Sequence, residues 1–298
     1  MKSSIVLLSC IAIAMSLVAG GVIVLGTALA AAWPLVRRAP LRTSQLHMKV
    51  TADKRVSWAC TKLGALGCLE QQEEAMPSNL RDNECLVAVR AIGLNYADIF
   101  CVLGLYEAAN KMLAEGGEGH ATGLVPGLEF AGVVLATGSG VTEHAVGDRV
   151  YGFCRFGAYR TKVVSPAFLL KPIPESWTFA EGSAVLAQGL TAWTGLVTMG
   201  RARKGSRVLV HSAAGGVGCA TLQICESLGC EAVGVVGDPS KVAFLEERYP
   251  TCMPLVRAPE RLYAQQLSQL GREYDVVMDS LGGRYLTGAL EHVAPFVA

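Results

Sequence analysis

The stretch RVLVHSAAGGVGCATLQI, residues 207–224, decides the fold of the C-terminal half of this 298-residue chain. A short apolar run, RVLVH at 207–211, leads into a glycine-rich turn, and a helix-like segment follows from Gly215 to Leu228. A second apolar run, EAVGVVG at 231–237, comes next. A strand, a turn, a helix and a second strand at this spacing predict a βαβ unit and a parallel sheet.

Set against the pattern G-x-G-x-x-G, the turn reads Ala213-x-Gly215-x-x-Gly218. Small residues keep the turn tight, let the backbone approach a pyrophosphate and let the helix pack close to the strand. Amide groups at the start of the helix would then face the phosphates, at the positive end of the helix dipole. We therefore predict that Ala213, Gly215, Gly216, Val217 and Gly218 bind a dinucleotide; the alternative is a tight turn without a ligand.

The end of the second strand indicates which dinucleotide binds. A carboxylate there accepts the ribose 2′-hydroxyl of NAD, whereas a cation accommodates the 2′-phosphate of NADP. The chain has Gly237, Asp238, Ser240 and Lys241 at this place. Lys241 and Ser240 favour a phosphate, while the Asp238 carboxylate would repel it. We predict NADPH as the cofactor; the alternative for Lys241 is a solvated residue in the first turn of a helix.

Further strands and helices alternate up to the C-terminus. Residues 252–256 and 274–280 are strand-like, and residues 239–248 and 260–271 have helical spacing. The resulting four strands are fewer than the six of a doubly wound dinucleotide domain. We therefore expect an α/β fold in which residues 173–298 form a Rossmann domain that lacks its last strands. The chain is then either an incomplete sequence of a longer enzyme or a genuine short form with impaired activity.

Short strands and turns fill the preceding part of the chain. Residues 47–60 and 84–93 are strand-like, and two further strand-like runs, 129–138 and 147–153, follow between glycine-rich turns. The polar, glycine-rich stretch NKMLAEGGEGHATG at 110–123 is predicted to be a surface loop. We expect a small β-barrel or folded sheet over residues 46–172.

The N-terminal segment differs from the rest in its apolar composition. No charged residue occurs from 3 to 36, and the apolar core is long enough to cross a hydrocarbon layer of about 30 Å as a helix. We predict a transmembrane anchor over 1–36 and a linker over 37–45, with the bulk of the chain facing the cytosol because most flanking cations follow the apolar run. The alternative is a cleaved signal ending near Ala28-Leu29-Ala30, which would make the protein secreted or lumenal.

Composition and charge narrow the classes of function. The net charge is +1, and Lys and Arg do not cluster among aromatic residues, so the sequence does not point to nucleic-acid binding. Hydrophobic residues make up 51% and charged residues 17%, and a low charged fraction is consistent with a lipid-facing segment. The ten cysteines contain no C-x-x-C pair and lie in apolar stretches, which favours reduced, buried thiols and a reducing compartment.

Several motifs in a fixed order point to one family. They are GLNYADIF with GLY (93–106), VPGLEFAGVV (125–134), VGDRVYGF (146–153), GAYRTKVV, LAQGLTAWTGL (186–196), VLVHSAAGGVGCATLQI and DVVMDSLGG (275–283). From about residue 46 onward, the chain resembles the zinc-free medium-chain dehydrogenase/reductase superfamily, in its quinone oxidoreductase (zeta-crystallin-like) branch. The resemblance implies a GroES-like catalytic domain joined to a Rossmann domain that holds NADPH.

The resemblance also implies a reaction and its residues. Hydride would pass from NADPH to a small-molecule quinone or α,β-unsaturated carbonyl. By position, Asn95 and Tyr106 would lie on the substrate side, and Tyr106 is a candidate proton donor because a phenol keeps its proton at neutral pH. Thr191 would lie close to the cofactor. The structural alternatives are a half-buried aromatic for Tyr106, a helix cap for Asn95 and a helix-start residue for Thr191.

No zinc is expected. The zinc-dependent relatives carry Gly-His-Glu where this chain has Gly127-Leu128-Glu129, and a leucine cannot ligate a metal. Their cysteine ligand falls within GLNYADIF, which has none, and Cys154 alone cannot build their four-cysteine structural site. Catalysis would then depend on positioning and hydrogen bonds.

The sequence therefore predicts a membrane-anchored, zinc-independent, NADPH-dependent reductase. One alternative is an enoyl-thioester reductase on the same scaffold. A second is a poorly active NADPH-binding membrane protein that acts through partners. A homodimer is an open alternative to a monomer.

Overall fold

The computed structural model describes residues 54–76, 79–114 and 123–295. Its contacts divide these residues into two compact units, one up to Ala187 and one from Gln188 onward. Each unit has its own buried core beside its own sheet.

The first unit is built around a five-stranded antiparallel sheet with the spatial order β6-β3-β4-β5-β7. Its strands are β3 (Glu84–Gly93), β4 (Glu129–Thr137), β5 (Arg149–Phe153), β6 (Lys162–Pro166) and β7 (Leu170–Pro172). Alternate residues of a strand point to the same face. Cys85 and Val87 of β3 accordingly join Phe130 and Val134 of β4 in one buried cluster. The predicted strands at 84–93, 129–138 and 147–153 are confirmed as β3 to β5.

A hairpin of β1 (Lys54–Cys60) and β2 (Leu69–Ala75) precedes this sheet. The polar strand β2 has a single buried residue, Glu74, whose carboxylate pairs with Arg55 of β1 at 2.7 Å. Arg160 approaches the same carboxylate at 3.3 Å. The two arginines compensate a charge that would be costly to bury alone.

A disulfide joins Cys60 at the end of β1 to Cys68 in the turn Leu66–Cys68, with the Cα atoms 5.2 Å apart. This pair differs from our expectation of reduced thiols throughout. The other seven cysteines of the described residues are not part of a disulfide. The hairpin register places Cys60 opposite the residue that follows Cys68, and the spacing of cysteines in a sequence does not reveal such a register.

The loop predicted over 110–123 is wrong in its first part. Helix α1 (Tyr96–Val102) is followed by helix α2 (Glu107–Ala114), which includes residues 110–114. Lys, Met, Leu and Ala favour helices, and Lys111 pairs with Glu107 one turn earlier at 2.7 Å. Residues 115–122 lie outside the described residues.

The second unit contains a four-stranded parallel sheet in the order β10-β9-β8-β11. The strands are β8 (Arg207–Val210), β9 (Glu231–Val236), β10 (Cys252–Val256) and β11 (Val276–Met278). The first unit ends with α3 (Phe179–Ser183) and the first two residues of α4 (Leu186–Trp193). A π-helical segment, Thr194–Met199, continues α4, and the later α-helices are α5 (Gly216–Leu228), α6 (Val242–Arg248), α7 (Glu260–Gln269) and α8 (Gly283–Leu290). The order of these strands is the 3-2-1-4 part of a doubly wound sheet.

Helices cover both faces of this sheet because its strands are apolar on both sides. Val208 and Val210 of β8 belong to one buried cluster with Leu222 of α5. Leu209, between them, belongs to another cluster with Leu267 of α7. The predicted α/β fold with a parallel, Rossmann-type sheet is therefore confirmed.

The expected single-pass membrane localisation is corrected. Within the part of the chain that the structure describes, no helix combines the length and the apolar character needed to cross a bilayer. The 13-residue helix α5 would span only about 20 Å, against a hydrocarbon core of roughly 30 Å. The predicted anchor at 1–36 and the linker at 37–45 lie outside the described residues.

Candidate functional site

The glycine turn lies between β8 and α5, as predicted. Strand β8 ends at Val210, and α5 begins at Gly216 with Gly215 as its N-cap. Both glycines are exposed. The first N–H groups of a helix have no partner within the helix and lie at the positive end of its dipole. The start of α5 therefore presents N–H donors and a partial positive charge, which suits a phosphate.

Gly218 packs directly against the backbone of the turn. A Cβ atom at this position would collide with the carbonyl oxygen of Ser212 and lie 2.7 Å from the Cα of Ala213. Backbone atoms cannot swing away as a flexible side chain can, so only glycine allows α5 to approach the turn this closely. Ala213 is fully buried and donates its N–H to the Val235 carbonyl at 3.0 Å, which ties the turn to β9. The turn thus has the close helix–strand packing of a dinucleotide site.

Helix α4 contacts the same turn. A Cβ atom at Gly216 would collide with the side-chain amide of Gln188, which therefore lies against the turn. Thr191, predicted to lie close to the cofactor, is buried one helical turn further along α4. Sequence reasoning missed Gln188, and its contact with Gly216 joins two segments far apart in the chain.

The predicted residues after β9 lie together on the surface. Gly237 and Asp238 follow the strand, and the Asp238 carboxylate accepts a hydrogen bond from the Ser240 N–H at 2.9 Å. This contact caps a short 3-10 turn, Pro239–Lys241, and Ser240 and Lys241 are both exposed. One oxygen of the carboxylate that would repel a phosphate is therefore engaged in the local turn.

Sequence reasoning missed a second cation at this place, Arg257. It follows β10, the neighbour of β9, and donates its own N–H to the Val236 carbonyl at 2.9 Å. A Cβ atom at Gly237 would lie 2.9 Å from one guanidinium nitrogen. The guanidinium carbon lies 4.8 Å from the centre of the Tyr285 ring, a cation–π distance that holds the side chain beside the end of β9. Its position directly after the third strand was the available signal.

The predicted substrate-side residues, Asn95 and Tyr106, flank helix α1 in the first unit. Asn95 is the N-cap of α1, and its side-chain amide donates to Glu129 at 3.0 Å. Tyr106 is buried, with its ring edge-on to Phe156 at 6.2 Å between centroids. Burial raises the pKa of Tyr106, so its phenol stays protonated at neutral pH. Whether either residue contacts a substrate stays a prediction.

Glu129, at the start of β4, is fully buried and was missed as a polar centre of this unit. One carboxylate oxygen accepts from Asn95, and the other accepts from the N–H groups of Leu186 and Ala187 at 2.9 Å each. Burial raises the pKa of Glu129 to about 7, against the opposing effect of these three hydrogen bonds. Opposite it, Gly93 has no room for a Cβ atom, which would lie 2.5 Å from the Glu129 Cγ.

A second buried carboxyl group, Asp98, lies on α1. Its Oδ2 atom accepts from the Asn95 N–H at 2.8 Å and from the Tyr159 hydroxyl at 3.1 Å. Burial raises the pKa of Asp98 to about 6, although both hydrogen bonds act in the opposite direction. Asn95 therefore connects two carboxyl groups, through its side chain to Glu129 and through its backbone to Asp98.

Because the pKa values of Glu129 and Asp98 are raised, we predict that the free energy of unfolding falls as the pH rises. Their ordinary pKa values, 4.5 for Glu129 and 3.8 for Asp98, become about 7 and about 6 in the folded protein. At a pH between the ordinary pKa and the raised pKa of a group, the folded protein binds more protons than the unfolded chain. Its free energy of unfolding therefore decreases as the pH rises through that interval. We expect urea denaturation to show this fall from about pH 5 to about pH 8, where ionisation of both groups is complete.

Asp98→Asn provides the control for this pH dependence. The amide oxygen that the substitution introduces keeps an acceptor for both hydrogen bonds, but the side chain no longer titrates. The slope below about pH 6 should become shallower, while the part due to Glu129 remains. A wild-type free energy of unfolding that stays level or rises over this interval would contradict the prediction.

The surroundings of Glu129 provide few ligands for a metal ion. Among the described residues, no group of three or more His, Cys, Asp or Glu side chains is arranged to hold one. Leu128 is buried beside Glu129, whose oxygens already accept three hydrogen bonds. The absence of zinc stays a prediction.

Comparison with known proteins agrees with this combination of a folded antiparallel sheet and a parallel nucleotide-type sheet. The alcohol dehydrogenase GroES-like domain family matches residues 81–175. A quinone oxidoreductase of Pseudomonas syringae is 30% identical, with a TM-score of 0.68 over 82% of this chain and 71% of that one. The CurK enoyl reductase is 29% identical, with a TM-score of 0.72 over 82% and 72%. The Escherichia coli quinone oxidoreductase, solved with NADPH, is 26% identical, with a TM-score of 0.68 over 80% and 70%.

The fold and the glycine turn define a dehydrogenase/reductase-type protein with a GroES-like unit and a Rossmann-type unit. The chain belongs to the medium-chain dehydrogenase/reductase superfamily, in its quinone oxidoreductase-like branch. Curated relatives include the rat synaptic vesicle membrane protein VAT-1 homolog, 35% identical over 72% of this chain. The chain spans 50% of the length of that relative, and 6% of the pikromycin polyketide synthase component PikAII of Streptomyces venezuelae, to which it is 35% identical over 75% of its own length.

Proposed function

We propose that this protein binds NADPH at the glycine turn and transfers hydride to a quinone or an α,β-unsaturated carbonyl. The observation that carries the proposal is the close packing of Gly218 on the turn, which leaves the start of α5 open to a pyrophosphate. Bound NADPH would supply the hydride. The similar Escherichia coli quinone oxidoreductase was solved with NADPH, which supports the choice of cofactor.

The turn would hold the pyrophosphate through the N–H groups of Gly216, Val217 and Gly218. Ser240, Lys241 and Arg257 would hold the 2′-phosphate at the end of β9. Two cations there outweigh the one carboxylate of Asp238, an oxygen of which accepts from the backbone. Together these charges favour NADPH over NADH.

On the substrate side, Tyr106 would donate a hydrogen bond or a proton to the substrate oxygen. Its raised pKa keeps the phenol protonated, as a proton donor must be. Asn95 would orient this side of the unit, with its amide held by Glu129. A hydrogen-bond donor facing the carbonyl oxygen would favour the electron-rich product of hydride addition.

An enoyl-thioester reductase is the second candidate, favoured by the likeness to the CurK enoyl reductase. The two candidates share the glycine turn and the hydride donor, so the structure of the nucleotide unit does not separate them. They differ in the hydride acceptor. A quinone is a planar ring, whereas an enoyl thioester is an acyl chain attached through sulfur to a carrier. Relative rates on matched substrates therefore decide between them.

The test starts with a fluorescence titration of the full chain with NADPH and with NADH. Oxidation of NADPH is then followed in the presence of a quinone series, an enone series and enoyl thioesters. Saturable NADPH binding and turnover with quinones or enones would support the proposal. If NADPH does not bind, the proposal is refuted; if only enoyl thioesters react, the second candidate replaces the first.

Arg257→Ala should lower the preference for NADPH over NADH by at least about tenfold, since a hydrogen bond to a charged group contributes roughly 1.5–3 kcal/mol. Lys241→Ala should act in the same direction with a smaller effect, because lysine contacts a phosphate as a point charge. The measurement is the ratio of the two dissociation constants. Lys204→Ala is the control, because this exposed lysine precedes β8 at the opposite end of the strands. An unchanged ratio in Arg257→Ala would exclude the contact.

A further inference from the structure

A chain of three hydrogen-bonded polar side chains, two of them buried, lies next to the glycine turn. His211, which directly follows β8, has no exposed side-chain surface. Its Nδ1 atom lies 2.6 Å from Asp279 Oδ1, after β11, and its Nε2 atom lies 2.7 Å from the Tyr263 hydroxyl on α7. One imidazole thus joins three separate elements of the second unit. Neither the predicted cofactor contacts nor the substrate-side residues include any of the three.

The directions of these hydrogen bonds follow from the partners. Burial raises the pKa of Asp279, but hydrogen bonds from His211 and from the N–H groups of Leu281 and Gly282 lower it further, so the net shift is downward. Asp279 is therefore a carboxylate, and His211 Nδ1–H must be the donor. Burial raises the pKa of the Tyr263 phenol, so its hydroxyl keeps its proton. With the imidazole neutral and its hydrogen on Nδ1, Nε2 accepts a hydrogen bond from this hydroxyl. The two contacts hold the ring in one orientation.

The backbone of the turn starts from this fixed ring. The His211 N–H donates to the Met278 carbonyl at 2.9 Å, and the next residue, Ser212, has a φ of 50°. A left-handed backbone costs energy in a residue with a side chain and persists only where its surroundings determine it. The carbonyl of Ser212 then accepts the Gly215 N–H at 2.8 Å and lies against Gly218. A movement of His211 would therefore displace the atoms that shape the turn.

We propose that His211, Asp279 and Tyr263 are positioning residues that hold the glycine turn in the shape that binds the dinucleotide. This inference rests on the proposed function, because it concerns the same site. Ring contacts also connect Tyr263 to Arg257, at the predicted 2′-phosphate contact. The Tyr263 ring is edge-on to the Tyr285 ring at 5.2 Å, and the Arg257 guanidinium lies over the Tyr285 ring at 4.8 Å. The same aromatic pair thus supports both predicted phosphate contacts.

Tyr263→Phe and Tyr274→Phe form a matched pair for the test. Both tyrosines are fully buried in one cluster, but the Tyr274 hydroxyl has no hydrogen-bond partner among the described residues. Tyr263→Phe should weaken NADPH binding about fivefold, as expected for one lost hydrogen bond, while Tyr274→Phe leaves the dissociation constant unchanged. Melting temperatures are measured alongside. A lower melting temperature of Tyr263→Phe with unchanged NADPH affinity would show a merely structural role and overturn the inference.

His211→Asn tests the same hydrogen bond from its other side. The asparagine amide can still donate to Asp279, but it is too short to reach Tyr263. If the His211–Tyr263 hydrogen bond positions the turn, each single substitution already removes it. The double variant, His211→Asn with Tyr263→Phe, should then bind NADPH no more weakly than the weaker-binding single variant. Additive losses would overturn the inference. Failure of the wild-type chain to bind NADPH would instead refute the proposed function, so the two failures are distinguishable.

Discussion

Gly218→Ala is expected to weaken NADPH binding by at least about tenfold and to lower the melting temperature. The new Cβ atom would collide with the Ser212 carbonyl and lie 2.7 Å from the Ala213 Cα. Relief requires α5 or the turn to move, and either movement changes the N–H positions that would meet a pyrophosphate. Overpacking of this kind costs roughly 1–3 kcal/mol in a well-packed core. Fluorescence titration with NADPH and thermal unfolding measure the two effects.

Gly67→Ala is the control for this substitution. Gly67 lies in the first unit, its φ is not in the left-handed region, and no heavy atom comes within 4 Å of an added Cβ atom. The same chemical change should therefore leave both NADPH affinity and melting temperature near the wild-type values. If Gly218→Ala binds NADPH as tightly as Gly67→Ala does, the turn is not the cofactor site.

Glu129→Ala is expected to lower the free energy of unfolding by about 3–5 kcal/mol, because it removes the common acceptor of three buried hydrogen bonds and leaves a cavity. The substitution leaves three buried donors without their acceptor: the Asn95 side-chain amide and the N–H groups of Leu186 and Ala187. Each unsatisfied donor costs roughly 1–3 kcal/mol, and a cavity adds to the loss. Urea denaturation at neutral pH provides the measurement.

Glu70→Ala and Glu129→Gln separate the causes of that loss. Glu70 is exposed on β2 of the same unit, so its removal should change the free energy of unfolding by less than about 0.5 kcal/mol. Glu129→Gln keeps the volume and one acceptor oxygen, so its effect should fall between the other two. A loss below about 1 kcal/mol in Glu129→Ala would show that these donors find other partners.

Prediction from sequence succeeded where the signal is short-range. The strands from β8 to β11 and the helices between them follow from apolar runs of strand length and from helical spacing. The predicted loop is wrong over 110–114, because its polar residues and glycines concealed a helix that starts earlier, at Glu107. The membrane localisation is corrected because no helix among the described residues is long and apolar enough to cross a bilayer, and the segment on which the prediction depended lies outside them.

In the candidate site too, residues set by a short-range pattern were predicted and those that depend on strand pairing were missed. Asp238, Ser240 and Lys241 could be predicted because a known pattern places such residues directly after the second strand. Arg257 was missed, because its approach to Gly237 depends on the pairing of β9 with β10. The disulfide of Cys60 was missed for a similar reason, since it depends on a hairpin register.

By itself, the sequence determined the parallel unit and its glycine turn, because turn, helix start and strand are set by residues close together in the chain. Only the tertiary structure decided which polar groups are buried together. His211 meets Asp279 across 68 residues and Tyr263 across 52, and Glu129 meets the Leu186 N–H across 57. No local pattern encodes such contacts, because each exists only once sheet order and helix packing have brought the distant segments into hydrogen-bond range.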